Sequence, residues 1–207
     1  PMPLYDDSLE LFTQKLASNA PYPGGGGAAA AAGALATSLC AMVGNLTIGK
    51  EKYADVEEEA IELTAKAQEL RDALLHLIDA DAECFEPLSK AFRIPKDDPT
   101  RAAVMERALA YACTAPLQIM RTTGRVIELL DKMARIGSRT AISDVAGGAT
   151  LAKAALQGAC LNIYINTNSM KDREAALRIE AEADRLLNVH GAMADAVYAT
   201  IITELRR

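Results

Sequence analysis

Apolar residues recur every third or fourth position through most of the chain, and no stretch alternates at period two. The pattern predicts helices and no sheet. Asp7-Ser8 can cap a first helix that turns Leu9, Phe12 and Leu16 inward. After Pro21-Tyr-Pro-Gly24 an alanine-rich helix runs to about Asn45. The turn Thr47–Lys52 leads to a long helix from about Ala54 to Phe92, bent near Pro87. Ile94–Pro99 reads as a loop, and Thr100 as the cap of a helix reaching about Ile136 with a kink at Pro116. Gly137-Ser138 breaks it. Ser143-Asp144 caps a fifth helix ending near Asn166, and Ser169 with Asp172 resembles a capping box that opens the last one. The expected fold is an all-α bundle of five or six helices, several long and kinked, in a single domain over residues 1–207.

Some residues break the pattern. Leu63, Ala67, Leu70, Leu74, Leu77, Asp81, Cys84, Leu88 and Ala91 form a heptad seam in which Asp81 is the one charged side chain. A carboxyl group among apolar neighbours has a raised pKa unless it is paired, which suits proton transfer. The structural alternative is an Asp satisfied by an arginine or by a helix terminus. Asp144 stands in the first turn of its helix, where it either stabilises the dipole or serves a site. Asn162 and Asn166 share a helix face and need partners, whether from another helix or from a ligand. Asp144 and Asn162 are five whole turns apart, about 27 Å. They would touch opposite ends of a long ligand, or sites that a second subunit completes.

The segment Pro23-Gly24-Gly25-Gly26-Gly27 opens the alanine helix with bare backbone. Free N–H groups and the positive end of a dipole face whatever lies there, and a flat ligand could rest on the main chain. A tight turn between close-packed helices is the plainer reading. No Lys-Ser or Lys-Thr follows, so this is not a Walker loop, and no strand precedes it as a dinucleotide fingerprint requires. Lys50 and Lys52, or Arg121 with Arg125, are either solvated charges or contacts for an anion. His190 lies on an apolar stripe and reads as a hydrogen-bonded core histidine, whereas His76 falls off the seam and should be exposed.

Composition narrows the function. The net charge of -6 and the lack of a basic patch argue against a nucleic-acid partner. Cys40, Cys84, Cys113 and Cys160 sit in apolar helical patterns with no CxxC pair, and the chain has two histidines. No metal site is expected, and buried free thiols fit a reducing cytoplasm. The run Ala28–Asn45 is short and alanine-rich, so it reads as a buried helix and not a membrane span.

Four blocks, in order and spacing, resemble the cyclodeaminase/cyclohydrolase family of folate enzymes. They are Pro21–Ala30, Met42–Tyr53, Asp79–Phe85, and Ser143-Asp144 through Asn162–Asn166. The resemblance spans nearly the full length. It implies an all-helical homodimer that acts on a tetrahydrofolate derivative and needs no prosthetic group. Its free-standing bacterial members look like the 5,10-methenyltetrahydrofolate cyclohydrolase. The same domain fused to a formiminotransferase is the formiminotetrahydrofolate cyclodeaminase, and the 207 residues hold no transferase region, which leans toward the hydrolase. A folate-binding helical dimer without turnover is a third reading. On this resemblance Asp81 or Asp144 moves the proton, and the glycine segment supports the pterin or benzoyl ring. Lys50, Lys52, or the pair Arg121 and Arg125 meets the glutamate tail, Asn162 and Asn166 orient polar atoms, and Asn45 counts among the substrate-binding residues.

Overall fold

A computed structural model describes residues 3–206. Its helices are α1 (Leu9–Leu16), α2 (Gly25–Thr47), α3 (Glu57–Ala91), α4 (Arg101–Ala112), α5 (Thr114–Ile136), α6 (Ile142–Thr167) and α7 (Arg173–Leu205). Short 3-10 turns occupy Leu4–Asp6, Glu51–Val56 and Arg139–Ala141, and no strand occurs among the described residues.

Helix α2 is the axis of the bundle. Alanine is the strongest helix former, and the interior glycines each cost about 1 kcal/mol of propensity relative to it. Close packing offsets that cost. At Gly44 an added Cβ would lie 2.0 Å from Thr64 Oγ1, so only glycine lets α3 approach there. Helix α3 runs antiparallel to α2, with Ile78 beside Gly27 and Thr64 beside Gly44. Helix α6 is antiparallel on another side, with Gly158 beside Ala29 and Gly147 beside Leu39. Helix α5 runs in the direction of α2, with Thr123 beside Gly33 and Gly137 beside Val43. Helix α7 follows α5, tied by Arg121–Glu182 at 2.7 Å and by Arg139–Glu204 at 3.4 Å from the turn after α5. The bundle therefore has a glycine end, where α2 starts and α3 and α6 finish, and a turn end, where α2 finishes and α3 and α6 start.

The main core is Ala, Leu, Ile, Val and Met from α2, α3, α5, α6 and α7. A smaller cluster joins Leu88 and Ala91 of α3 to Ala108, Leu109 and Ala112 of α4, with Met170 and Ala176. The seam on α3 is buried as expected, apart from half-buried Leu77 and Asp81. His190 is buried, with Nδ1 3.2 Å from Leu186 O and Nε2 2.9 Å from Glu128 Oε1. His76 is exposed. All four cysteines are free and buried, and burial pushes the Cys40 thiol up to about 12 and Cys113 up to about 11. Helix α2 is long and apolar enough to cross a membrane, yet 61% of that stretch is buried inside the bundle.

The structure corrects several local expectations. The helix foreseen over Thr100–Ile136 is two helices that meet at Cys113. Pro116 has no N–H for the Ala112 carbonyl, and its ring crowds that oxygen, so the ladder breaks one turn upstream of the proline. Pro87, by contrast, sits inside an unbroken α3. It is exposed and lies in the last turns, where one missing bond matters little. Helix α3 begins at Glu57, not Ala54, because residues 51–56 form a 3-10 turn with Tyr53 outside helical angles. Thr100 is the N-cap residue of α4, as read, but it makes no side-chain cap bond, because its hydroxyl donates to Asp98 Oδ1 at 2.6 Å. Ser143 does not cap α6, which already starts at Ile142. Asp172, not Ser169, caps α7 by accepting from Ala175 N–H at 2.9 Å. Of the apolar residues expected inward on α1, Phe12 is buried, Leu16 is half-buried and Leu9 is 77% exposed. A two-turn helix offers the core a face about one side chain wide.

Candidate active site

Asp81 lies flat against the first turn of α2. A Cβ on Gly26 would sit 2.2 Å from Asp81 Oδ1 and 2.4 Å from its Cγ, so the carboxyl occupies the space that any other residue would fill. Helix α2 has no side-chain cap of its own at Gly24, and Asp81 closes its start from the neighbouring helix. Burial pushes the Asp81 carboxyl up to about 6, against the opposing pull of the Gly27 backbone N–H. Desolvation outweighs the hydrogen bond, so the group titrates near neutrality.

The carboxyl opens into a cavity of about 200 Å³ lined by Pro21, Tyr22, Gly24, Gly25, Asp81, Phe85, Ala112, Pro116, Asn162 and Asn166. Asn162 donates Nδ2–H to Gly158 O at 2.9 Å. A carbonyl can only accept, so this bond fixes which way the amide faces and leaves Oδ1 free as an acceptor beside Gly25. Asn166 is buried, and its Nδ2 lies 3.5 Å from Ala112 O. That is the carbonyl that Pro116 leaves without a backbone donor. Pro23 and Gly27 are buried behind this wall, and Gly27 packs against Pro23 and Ile78.

The remaining candidates lie elsewhere. Asp144 is half-buried in the first turn of α6, at the turn end. Asn45, Lys50 and Lys52 are exposed at that same end, with Lys52 Nζ 5.6 Å from the Tyr53 ring centroid. Along α6, Asp144 stands five helical turns, about 27 Å, from Asn162 in the cavity wall, and Asn45, Lys50 and Lys52 lie at the same far end of the bundle. Arg121 is held by Glu182 in two hydrogen bonds of 2.7 and 2.8 Å, which raises its pKa and occupies its fork. Arg125 is exposed. Among the described residues, no three His, Cys, Asp or Glu side chains converge as metal ligands would.

Sequence reasoning did not weigh Tyr22, Phe85, Ala112 or Pro116 as wall residues. Phe85 carried a readable signal, four positions after Asp81 and therefore on the same face of α3. At the turn end it passed over Tyr53, whose hydroxyl accepts the Arg139 N–H at 2.9 Å. That bond leads the causes that lower the Tyr53 pKa, with Ser138, Lys52 and Arg139 contributing. A larger groove of about 390 Å³ between α6 and α7 holds the Lys153–Asp195 pair at 2.6 Å, and its two charges are already matched.

Fold and site together define an all-helical protein with a half-buried carboxyl poised on bare backbone at a small cavity of mixed polar and apolar lining. The family described as formiminotransferase-cyclodeaminase matches residues 8–185, and the chain belongs to it. A methenyltetrahydrofolate cyclohydrolase of Methylorubrum extorquens is 38% identical over 200 residues, covering 95% of this chain and 96% of that one. The formimidoyltransferase-cyclodeaminase of Mus musculus is 30% identical over 82% of this chain, which matches 32% of the mouse protein. The crystal structure of a formiminotetrahydrofolate cyclodeaminase from Thermotoga maritima superposes with a TM-score of 0.84 at 28% identity, covering 97% of this chain and 96% of that one.

Proposed function

We propose that this chain is a 5,10-methenyltetrahydrofolate cyclohydrolase, and that Asp81 moves its protons. The observation that carries the reading is the Asp81 carboxyl pressed on Gly26 at a cavity, where burial pushes it up to about 6. The end-to-end match to the Methylorubrum cyclohydrolase supports the choice of reaction.

The substrate carries one cationic carbon bridging N5 and N10. Water adds to that carbon and gives a proton to the Asp81 carboxylate. The resulting tetrahedral centre bears a hydroxyl group. Asp81 returns its proton to N5, the N5–carbon bond breaks, and the hydroxyl loses its proton to solvent as the formyl C=O forms on N10. One water is consumed and one proton released. A carboxyl with pKa near the working pH can both accept and donate. The reading uses no prosthetic group. Asn162 Oδ1 supplies an acceptor beside the reacting water.

The reading includes a homodimer. Helix α2 carries no charged residue from Gly25 to Thr47 and exposes Leu35, Met42 and Leu46. Its antiparallel neighbour α6 exposes Leu161 and Ile165. A second copy covering this face, with its two-fold axis perpendicular to the helices, brings the turn end of one protomer against the glycine end of the other. Asp144, Asn45, Lys50 and Lys52 would then reach the substrate from the second copy. Four unpaired thiols fit a cytoplasmic setting.

A second reading is formiminotetrahydrofolate cyclodeaminase, favoured by the structural match to the Thermotoga protein. Here N10 attacks the formimino carbon and ammonia departs, with the same carboxyl as acid and base. The purified protein, given methenyl- and formimino-tetrahydrofolate in parallel, distinguishes them. Loss of methenyl absorbance without ammonia release from the formimino substrate is expected. Ammonia release with no methenyl hydrolysis overturns the first reading, and binding without either turnover overturns both.

A further inference from the structure

The cavity at the glycine end has two tiers. Helices α3 and α6 both run antiparallel to α2, so residues later on each lie progressively beyond the start of α2. Asp81 and Asn162 stand level with Gly25 and Gly26. Phe85 and Asn166 each lie four residues later, just over one turn or about 6 Å further out. There they join Ala112 and Pro116 in the same wall. The inner tier is polar and faces bare backbone. The outer tier is apolar and flat, apart from one amide.

The chain is poor in aromatics, with three Phe, six Tyr and no Trp, yet Phe85 and Tyr22 both line this small cavity. Phe85 is half-buried, and Tyr22 is 39% exposed. A benzoyl ring has no polar atoms along its edge and would offer no donor to the oxygen of the buried Asn166 amide, whose nitrogen already reaches Ala112 O. A pterin has apolar faces and an edge of alternating donors and acceptors, which matches an aromatic wall beside an amide.

Resting on the cyclohydrolase reading, we propose that the outer tier seats the pterin ring and that Phe85 is the side chain that holds its face. The bridging carbon is then directed inward to Asp81 and Asn162, and the benzoylglutamate portion leaves the cavity toward solvent.

The test measures binding of two fragments, 6-methyltetrahydropterin and p-aminobenzoylglutamate, and of tetrahydrofolate, to wild type, Phe85→Ala and Phe85→Tyr. In Phe85→Ala the pterin fragment should weaken about tenfold or more, the scale of a lost aromatic contact. Phe85→Tyr should keep most of the affinity, and p-aminobenzoylglutamate should bind all three alike, which also reports an intact fold. If Phe85→Ala does not fold, Phe85→Leu gives the same readout. Equal pterin affinity in wild type and the truncated variant overturns the proposal, as does a loss confined to p-aminobenzoylglutamate. A wild-type protein that binds tetrahydrofolate but fails these comparisons sinks this inference alone. One that binds neither tetrahydrofolate nor its fragments sinks the cyclohydrolase reading with it.

Discussion

At Gly26 one hydrogen atom decides where a carboxyl can sit. Gly26→Ala would put a methyl 2.2 Å from Asp81 Oδ1, and the side chain would have to leave the cavity wall. Activity should fall by about 100-fold, the scale of displaced catalytic geometry, while helicity by circular dichroism is retained. Asp81 itself gives a prediction with a definite sign. Its folded pKa of about 6 lies above the ordinary 3.8, so the native state binds this proton more tightly than the unfolded chain. That contribution to stability is fully present below 3.8 and is lost as pH rises through about 6. Asp81→Asn should therefore unfold later than wild type at pH 8, by on the order of 2 kcal/mol, with no such gain at pH 4, as urea titrations at the two pH values would show. The same variant should lose turnover by about 100-fold or more. In wild type, kcat/KM should rise through pH about 6 and then level, because the free carboxylate is the form that accepts the proton from water. A profile that falls through that pH would assign Asp81 as an acid only.

At the scale of elements, Pro116 separates α4 from α5 and shapes the cavity mouth. Pro116→Ala restores an N–H within reach of the Ala112 carbonyl. A crystal structure of the variant should show a straighter passage through Cys113, and KM should rise several-fold as Ala112 and Asn166 shift, with kcat changed less. Unchanged KM and an unchanged break would show that tertiary packing sets the bend. Element boundaries were legible where a local rule acts alone. Ser8 caps α1 by accepting from Leu11 N–H at 3.1 Å, as its position before an apolar run implies. The α3 seam could be read because periodicity survives any tertiary arrangement. The break at Cys113 could not be placed so simply, since a proline breaks the ladder four residues upstream of itself. Thr100 holds the N-cap position of α4 but gives its hydroxyl proton to Asp98, and at α7 Asp172 takes the cap from Ser169, because a carboxylate accepts more strongly than a hydroxyl. Asp81, Asn162 and the glycines could be picked out as residues at odds with their surroundings. That Asp144 stands far from Asn162 could be read from the spacing along one helix, but that Asp81, Asn162 and the glycines share one cavity follows from antiparallel packing that no single segment encodes.

At the scale of the whole molecule, α2 and α6 present exposed Leu35, Met42, Leu46, Leu161 and Ile165. Met42→Glu together with Ile165→Glu places two carboxylates on that apolar face without touching the core, since Met42 is 38% and Ile165 70% exposed. Sedimentation should show a dimer for wild type and a monomer for the variant, with turnover lost in proportion. A variant that stays dimeric would mean that another surface joins the copies, and a fully active monomer would mean that one protomer holds the whole site. The carboxyl that closes the start of α2 is, on the proposed reading, the group that trades the proton. Each hydrolysis would then erase, for the lifetime of the intermediate, the negative charge that faces the positive pole of the central helix. The backbone of the central helix would register every turnover, and a substitution that anchors that pole by other means should uncouple the two.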